Sequence, residues 1–181
     1  MDPNDILIAM KHIFYHLTAV MVVVVWGMTF ISTKVLIVHG LSPQEIFLFR
    51  FLLAYVAVCP ISSHSFFARN LKDELCLAGG GVLGGSLFFF LQNMALGLTQ
   101  ASNVSFIICT APLLTAVLTV LSVRTEKVSR GFIYGSIVAL LGVGLLIFNG
   151  SFILRISPLG DLLTLLASLS WAFYSLVIRG Y

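Results

Sequence analysis

The polar and charged groups that this sequence places in or beside long apolar stretches define its chemistry. Lys34 and Arg50 offer positive charge, Gln92, Asn93 and Asn103 offer amides, and Trp26 and Trp171, the only two tryptophans, offer indole faces. A cation attracts anionic or zwitterionic groups, an amide both donates and accepts, and an indole stacks on a ring or a methylated cation. Thr29, Ser32 and Thr33 beside Trp26, and Tyr174 and Ser175 beside Trp171, supply hydroxyls. Such hydroxyls equally often bond back to their own helix.

Other chemistries are excluded by pattern. The run Gly79 to Ser86 satisfies G-x-G-x-x-G and nearly spells a phosphate loop, but Gly85 stands where the lysine belongs and the segment lies in an apolar run without a preceding strand. Close helix packing through Gly80 and Gly84, or Gly81 and Gly85, accounts for it better. Gly131 and Gly135 suit the same role. Cys59, Cys76 and Cys109 have no metal-ligand spacing and sit in apolar surroundings, where a thiol stays neutral. His12, His16, His39 and His64 fall at or beyond the ends of apolar runs. No His, Asp, Glu or Cys arrangement provides a catalytic pair, no ATPase motif is present, and nothing calls for a cofactor or a metal.

The elements that position these residues follow from composition. Only 9% of the 181 residues are charged, against roughly 25% in a soluble domain, and 59% are apolar with a mean hydropathy of +1.07. A chain this apolar cannot cover a water-facing surface around one core. Disorder needs the opposite composition. The chain therefore reads as all-α and polytopic in a lipid bilayer, since isolated strands cannot satisfy their backbone there.

Uncharged runs extend from Leu17 to Thr33, Phe51 to Ala68, Leu75 to Val123, Gly131 to Leu154 and Leu162 to Ile178. The third would be about 74 Å long as one helix, more than twice the hydrocarbon thickness, so it turns back at its most polar part, Gly97 to Asn103. Six transmembrane helices result, at 17–37, 43–63, 75–96, 101–123, 131–149 and 159–180. Lys11, Arg69, Lys72, Arg124, Lys127, Arg130 and Arg179 fall on one side, against Arg155 and Lys34 on the other. The positive-inside bias places the N-terminus in the cytoplasm of a multi-pass protein of the cell membrane. It also explains the net charge of +3 without a nucleic-acid partner.

The first and sixth spans align at an offset of 145, Trp26 to Lys34 lying over Trp171 to Arg179 with tryptophan and basic residue eight apart in both. The two helices must run in opposite directions. Inverted-topology repeats are a common construction of secondary transporters.

From Trp26 to the C-terminus the sequence resembles the drug/metabolite transporter superfamily, in its EamA-type branch. The resemblance rests on an ordered series: Trp26-Gly27 and Lys34, Ser42-Pro43 followed by Arg50, Gln92-Asn93-x-Ala95-Leu96, Ala101-Ser102-Asn103, Pro112, Glu126, then Gly135, Gly142 and Gly144. Gly160-Asp161-Leu162 to Trp171-Ala172 is similar to the opening of the family's second five-helix unit. It implies a cytoplasmic tail over 1–16, a first five-helix repeat over 17–149, a linker over 150–158, and the first helix of an incomplete second repeat over 159–181. Family members of this branch usually have ten helices, so the chain reads as truncated after the sixth.

The function this implies is secondary transport of small metabolites, amino acids or drug-like compounds, as an exporter working by alternating access. The alternative is a transporter half that acts only as a homodimer or with a partner half. The expected substrate-binding set is Trp26, Thr29, Lys34, Arg50, Gln92, Asn93, Asn103, Trp171 and Tyr174, with Pro112 as hinge. Each has a plainer reading. Lys34 and Arg50 can reach the headgroups with Glu45 neutralising either, Gln92 and Asn93 can bond between helices, and the tryptophans can face lipid. Asp161 suits a helix N-terminus.

Overall fold

The computed structural model describes residues 3–61, 70–122, 129–148 and 157–179. Arg69, Arg124, Glu126, Lys127, Arg155, His64, Tyr181 and residues 150–156 of the expected linker lie outside them. The described residues form six helices: α1 (Pro3–Val38), α2 (Pro43–Val58), α3 (Leu71–Leu98), α4 (Ala101–Ser122), α5 (Arg130–Phe148) and α6 (Pro158–Arg179). α1, α3, α4 and α6 are long and apolar enough to cross a membrane. The expected spans and helices differ most at two ends: α2 stops at Val58, short of the expected residue 63, and α1 begins at Pro3, well before Leu17. No glycine or proline interrupts residues 4–16, and proline suits the first helical position, so residues expected to form a separate tail continue the first helix.

The α1–α2 hairpin is written in its local sequence. Gly40 takes φ +100, while Leu41 N–H donates to Leu36 O and Gly40 N–H donates to Ile37 O. This is the paired closure of a Schellman turn, in which the left-handed residue is usually glycine. Ser42 then caps α2: its hydroxyl accepts from Glu45 N–H, the Glu45 carboxylate accepts from Ser42 N–H, and Pro43 occupies the first turn. Glu45 is thereby engaged with Ser42 in a capping box.

Two spans are irregular. Within α3, Gly81–Leu87 winds as a π-helix, whose i→i+5 pattern marks a local bulge. α4 is interrupted at Cys109 and Thr110 and resumes at Ala111. Pro112 has no N–H for the carbonyl one turn back, which is why the break falls there. Thr110 Oγ1 donates to Ile107 O at 2.6 Å and satisfies a neighbouring carbonyl.

α6 lies between α3 and α4 and packs along both. Its inner face is made of small residues, Gly160, Thr164, Ala167, Ser168, Ser170 and Ala172, all buried. Small faces let backbones approach closely. Ser170 Oγ donates to Leu83 O at 2.8 Å, within the π-helical stretch. Gly84 completes the seam: a Cβ placed on it lies 2.6 Å from Cγ and Cδ2 of Tyr174. We therefore expect Gly84→Ala to lower unfolding stability by roughly 1–3 kcal/mol through overpacking, with Tyr174→Leu restoring part of it. An unchanged melting temperature for Gly84→Ala would show that the seam is not closed.

A hydrophobic cluster lies toward one end. Phe30, Ala95, Leu96 and Val104 cluster with Trp26, Ile37, Ala101, Ile108 and Leu163 against them, from Trp26 at mid-bundle toward the α1–α2 and α3–α4 turns. Gly160 approaches Thr99 so closely that a Cβ would lie 3.0 Å from it, and Gly97 approaches Pro43 similarly at 3.1 Å. The outer faces of α1, α2 and α5 are exposed and apolar, including Val20–Val25, Leu52, Leu53, Val138 and Leu141. Lipid is the solvent such faces require.

Candidate functional site

Two cavities lie between the helices, and Trp171 lines both. The first, about 580 Å³, lies among α4, α5 and α6, and is lined by Pro112, Thr115, Thr119, Ser129, Phe132, Ser175 and Arg179 as well as Trp171. The second, about 690 Å³, lies among α1, α3 and α6, where Trp26, Phe89, Trp171 and Tyr174 stand over Gly80, Gly81, Gly84 and Gly85. Both volumes are in the range of small-molecule sites, about 300–1,000 Å³.

An aromatic cluster borders the cavities. The Trp26 and Trp171 rings are 5.8 Å apart, Phe88 lies 5.0 Å from Trp171 and 6.5 Å from Trp26, and Tyr174 lies 5.1 Å from Trp171. Phe89 extends the cluster through Phe88 at 4.9 Å and Phe51 at 5.9 Å, and carries the Arg50 guanidinium 5.6 Å above its ring. Tilted and edge-on pairs at these separations are the favourable geometries of aromatic quadrupoles. The two tryptophans thus meet at mid-bundle, from helices that run in opposite directions.

The other candidate residues are placed apart from this cluster or turned away from the cavities. Lys34 Nζ donates to Leu96 O at 2.6 Å and Thr99 O at 2.8 Å, so its ammonium caps the C-terminus of α3, where carbonyls lack intrahelical donors. Thr29 donates to Trp26 O. Asn103 donates to Thr99 Oγ1 at 3.4 Å at the packed end. Gln92 and Asn93 are fully buried in α3, one turn beyond Phe88 and Phe89, and line neither cavity.

Neither amide of that pair has a hydrogen-bond partner among the described residues, and the same holds for Trp26 Nε1, Arg50 Nη1 and Asp161 Oδ1. A buried amide without a partner costs more than an apolar group of similar shape. Gln92→Leu is accordingly expected to leave thermal stability unchanged or raised, by up to about 2 kcal/mol. A clear loss of stability in that variant would mean that the amide bonds across the helix interface.

Phe88, Phe89, Thr115, Thr119, Ser129 and Arg179 were not among the expected site residues. The signal for two groups was present: Thr115 and Thr119 are four apart after Pro112, and Trp171, Ser175 and Arg179 recur every four residues, which is one helical face.

A comparison with protein families finds the EamA-like transporter family over residues 13–148, from α1 through the end of α5. The chain belongs to the EamA-like transporter family. It is a multi-pass membrane protein from a family of small-molecule transporters, not enzymes. Neither a curated protein nor a solved structure matches it. Within this EamA-like chain the matched range contains Trp26, Arg50, Phe88 and Pro112, whereas α6, with Trp171 and Tyr174, lies beyond it.

Proposed function

We propose that this EamA-like chain works as a secondary exporter of small metabolites, using alternating access, with its N-terminus in the cytoplasm of the cell membrane. The observation that supports the reading is the asymmetry of the bundle: the cluster of Phe30, Ala95, Leu96 and Val104 and the contacts of Gly40, Ser42 and Lys34 lie toward one end, and both cavities lie toward the other. A transporter caught open to one side has this form, because closing one end around a fixed site while the other parts is what alternating access requires. The cavity end carries Lys72, Arg130 and Arg179, so the positive-inside rule makes it cytoplasmic. Substrate then enters from the cytoplasm, the direction an exporter needs.

In this reading Trp26, Trp171 and Tyr174 form the substrate-contacting wall, and α1 and α6 are the corresponding first helices of two inverted repeats. Arg50 reaches the wall through Phe89. Pro112 is the hinge on which the cavity-side half of α4 moves. Gln92, Asn93 and Asn103 sit where closure of the cavity side would bring substrate deeper. Lys34 and Thr29 act by holding the packed end and the α1 turn around Trp26. Energy comes from a gradient or from the substrate's own concentration, since the sequence carries no ATPase motif.

The test is flux. Purified chain in proteoliposomes should exchange a radiolabelled metabolite from a panel of amino acids, organic acids and aromatic compounds, saturably and faster than empty vesicles. Equal flux in protein-containing and empty vesicles across the panel would overturn transport by this chain alone.

A further inference from the structure

The packing face of α1 ends where the cavity among α1, α3 and α6 begins. Trp26, Phe30, Thr33 and Ile37 recur every three or four residues and turn one side of α1 into the bundle. Val22, one turn earlier on that side, lines the cavity and is more than half exposed. Leu77 of α3 and Ile178 of α6 line it too, and both are exposed. These three residues belong to the apolar surface that faces lipid, which continues along α1 through Val20–Val25. The cavity is therefore a slot continuous with the lipid-facing surface.

Its deep end meets the tryptophan pair, whose rings lie 5.8 Å apart. From Trp171 to Ile178 the helix rises about 10 Å at about 1.5 Å per residue, which is about two-thirds of one leaflet's hydrocarbon, roughly 15 Å. Water has little to hold it there. Among the described residues that line the slot, only the two indoles and the Tyr174 phenol carry a polar side-chain atom, and Trp26 Nε1 is buried without a partner. A confined water makes about three hydrogen bonds. A helix of a second copy would cover the slot without entering it, because packed helix axes stay about 8–10 Å apart and the tryptophans of α1 and α6 are already in contact.

From this arrangement we infer that the slot holds one acyl chain of a bilayer phospholipid, lying along the glycine floor with its terminal methyl toward Trp26 and Trp171 and its headgroup at the bilayer surface beyond Ile178. Gly81 marks the open floor, since a Cβ built on it meets nothing within 4 Å. The chain gives α1 a packing partner below Trp26. The assignment does not rest on transport. It leaves the cavity among α4, α5 and α6 to a solute, and Trp26 then acts on that solute through Trp171, the residue common to both cavities.

The experiment uses the full chain in nanodiscs of phosphatidylcholine, and its probe is phosphatidylcholine brominated near the end of the sn-2 chain. Trp26 and Trp171 are the only tryptophans, so intrinsic fluorescence reads the slot directly. Quenching should rise linearly with the mole fraction of brominated lipid, as one chain against the indoles requires, and bromine near the carbonyl end of the chain should quench less. Gly81→Leu fills the slot with side chain and should cut the quenching by at least about half, because a close-packed interior has no room for both. Gly142→Leu, on α5 where a Cβ also meets nothing within 4 Å, should leave it unchanged. Native mass spectrometry should show a retained phospholipid on the parent chain and none on Gly81→Leu.

Quenching that saturates at a low brominated fraction, or that survives Gly81→Leu, assigns the tryptophans to ordinary annular lipid and overturns the slot. The titration of the parent chain decides this by itself where Gly81→Leu does not fold. Strong quenching by aqueous acrylamide with little by brominated lipid makes the cavity wet and overturns the assignment. A dimer in the mass spectrum without lipid quenching gives the face to a second copy and overturns it as well.

Discussion

Lys34→Met is expected to lower the unfolding free energy by about 3 kcal/mol, the scale of losing two hydrogen bonds from a charged donor when their effects are not fully additive. Methionine keeps the length and packing of the lysine stem and removes only the ammonium. Leu96 O and Thr99 O then lose their shared donor at 2.6 and 2.8 Å, at a helix end where a cation also favours the dipole. The loss should appear as an earlier midpoint in denaturant titration of the purified chain. Lys34→Gln, which retains donors without charge, should fall between. If Lys34→Met instead unfolds like the parent chain and only the apparent KM for substrate rises, the ammonium faces the transport path and the capping contact carries little weight.

Lys34 read as a charge near a membrane boundary, with headgroup or substrate as its two outlets. Its actual partners are carbonyls 62 and 65 residues away, and no local pattern announces a bond between a side chain and a distant helix end. The same limit applies to Ser170, whose target, Leu83 O, is exposed by a π-helical stretch. A run of glycines permits that winding, but the sequence does not state it.

Local devices rest on local physics, although neither the Gly40 turn nor the Ser42 cap was among the expectations. Gly40 before Ser42-Pro43-Gln44-Glu45 specifies a left-handed turn followed by a capping box, and both are present. Thr99-Gln100 turns the long apolar run back on itself, as its polarity requires. The pairing of Trp26 with Trp171 is intermediate: two tryptophans at equivalent depths of antiparallel helices meet at mid-bundle, but the phenylalanines that join them were indistinguishable by type from 13 others. Phe88 and Phe89 acquire their place from which face of α3 meets α6, a tertiary fact.

Trp171→Ala is expected to reduce flux about 100-fold, near 2.7 kcal/mol at about 1.36 kcal/mol per tenfold. Trp171 touches more of the site than any other side chain. It lines both cavities and lies within 5.8 Å of Trp26, Phe88 and Tyr174 by ring centre. Alanine removes the wall between the two cavities and leaves a joined space in which a small molecule is no longer held in one place. Trp171→Phe keeps an aromatic face toward Phe88 and Tyr174 and should retain flux within about fivefold, since volume-conserving aromatic packing is largely preserved. Trp26→Ala should cost less than Trp171→Ala because Trp26 lines only the glycine-floored cavity. Initial exchange rates in proteoliposomes, read beside unfolding midpoints of the same preparations, separate site from scaffold. If Trp26→Ala and Trp171→Ala lose flux equally and in proportion to lost stability, the cluster is packing alone. If Trp171→Ala loses flux far beyond its loss of stability, the indole is the surface on which substrate is held.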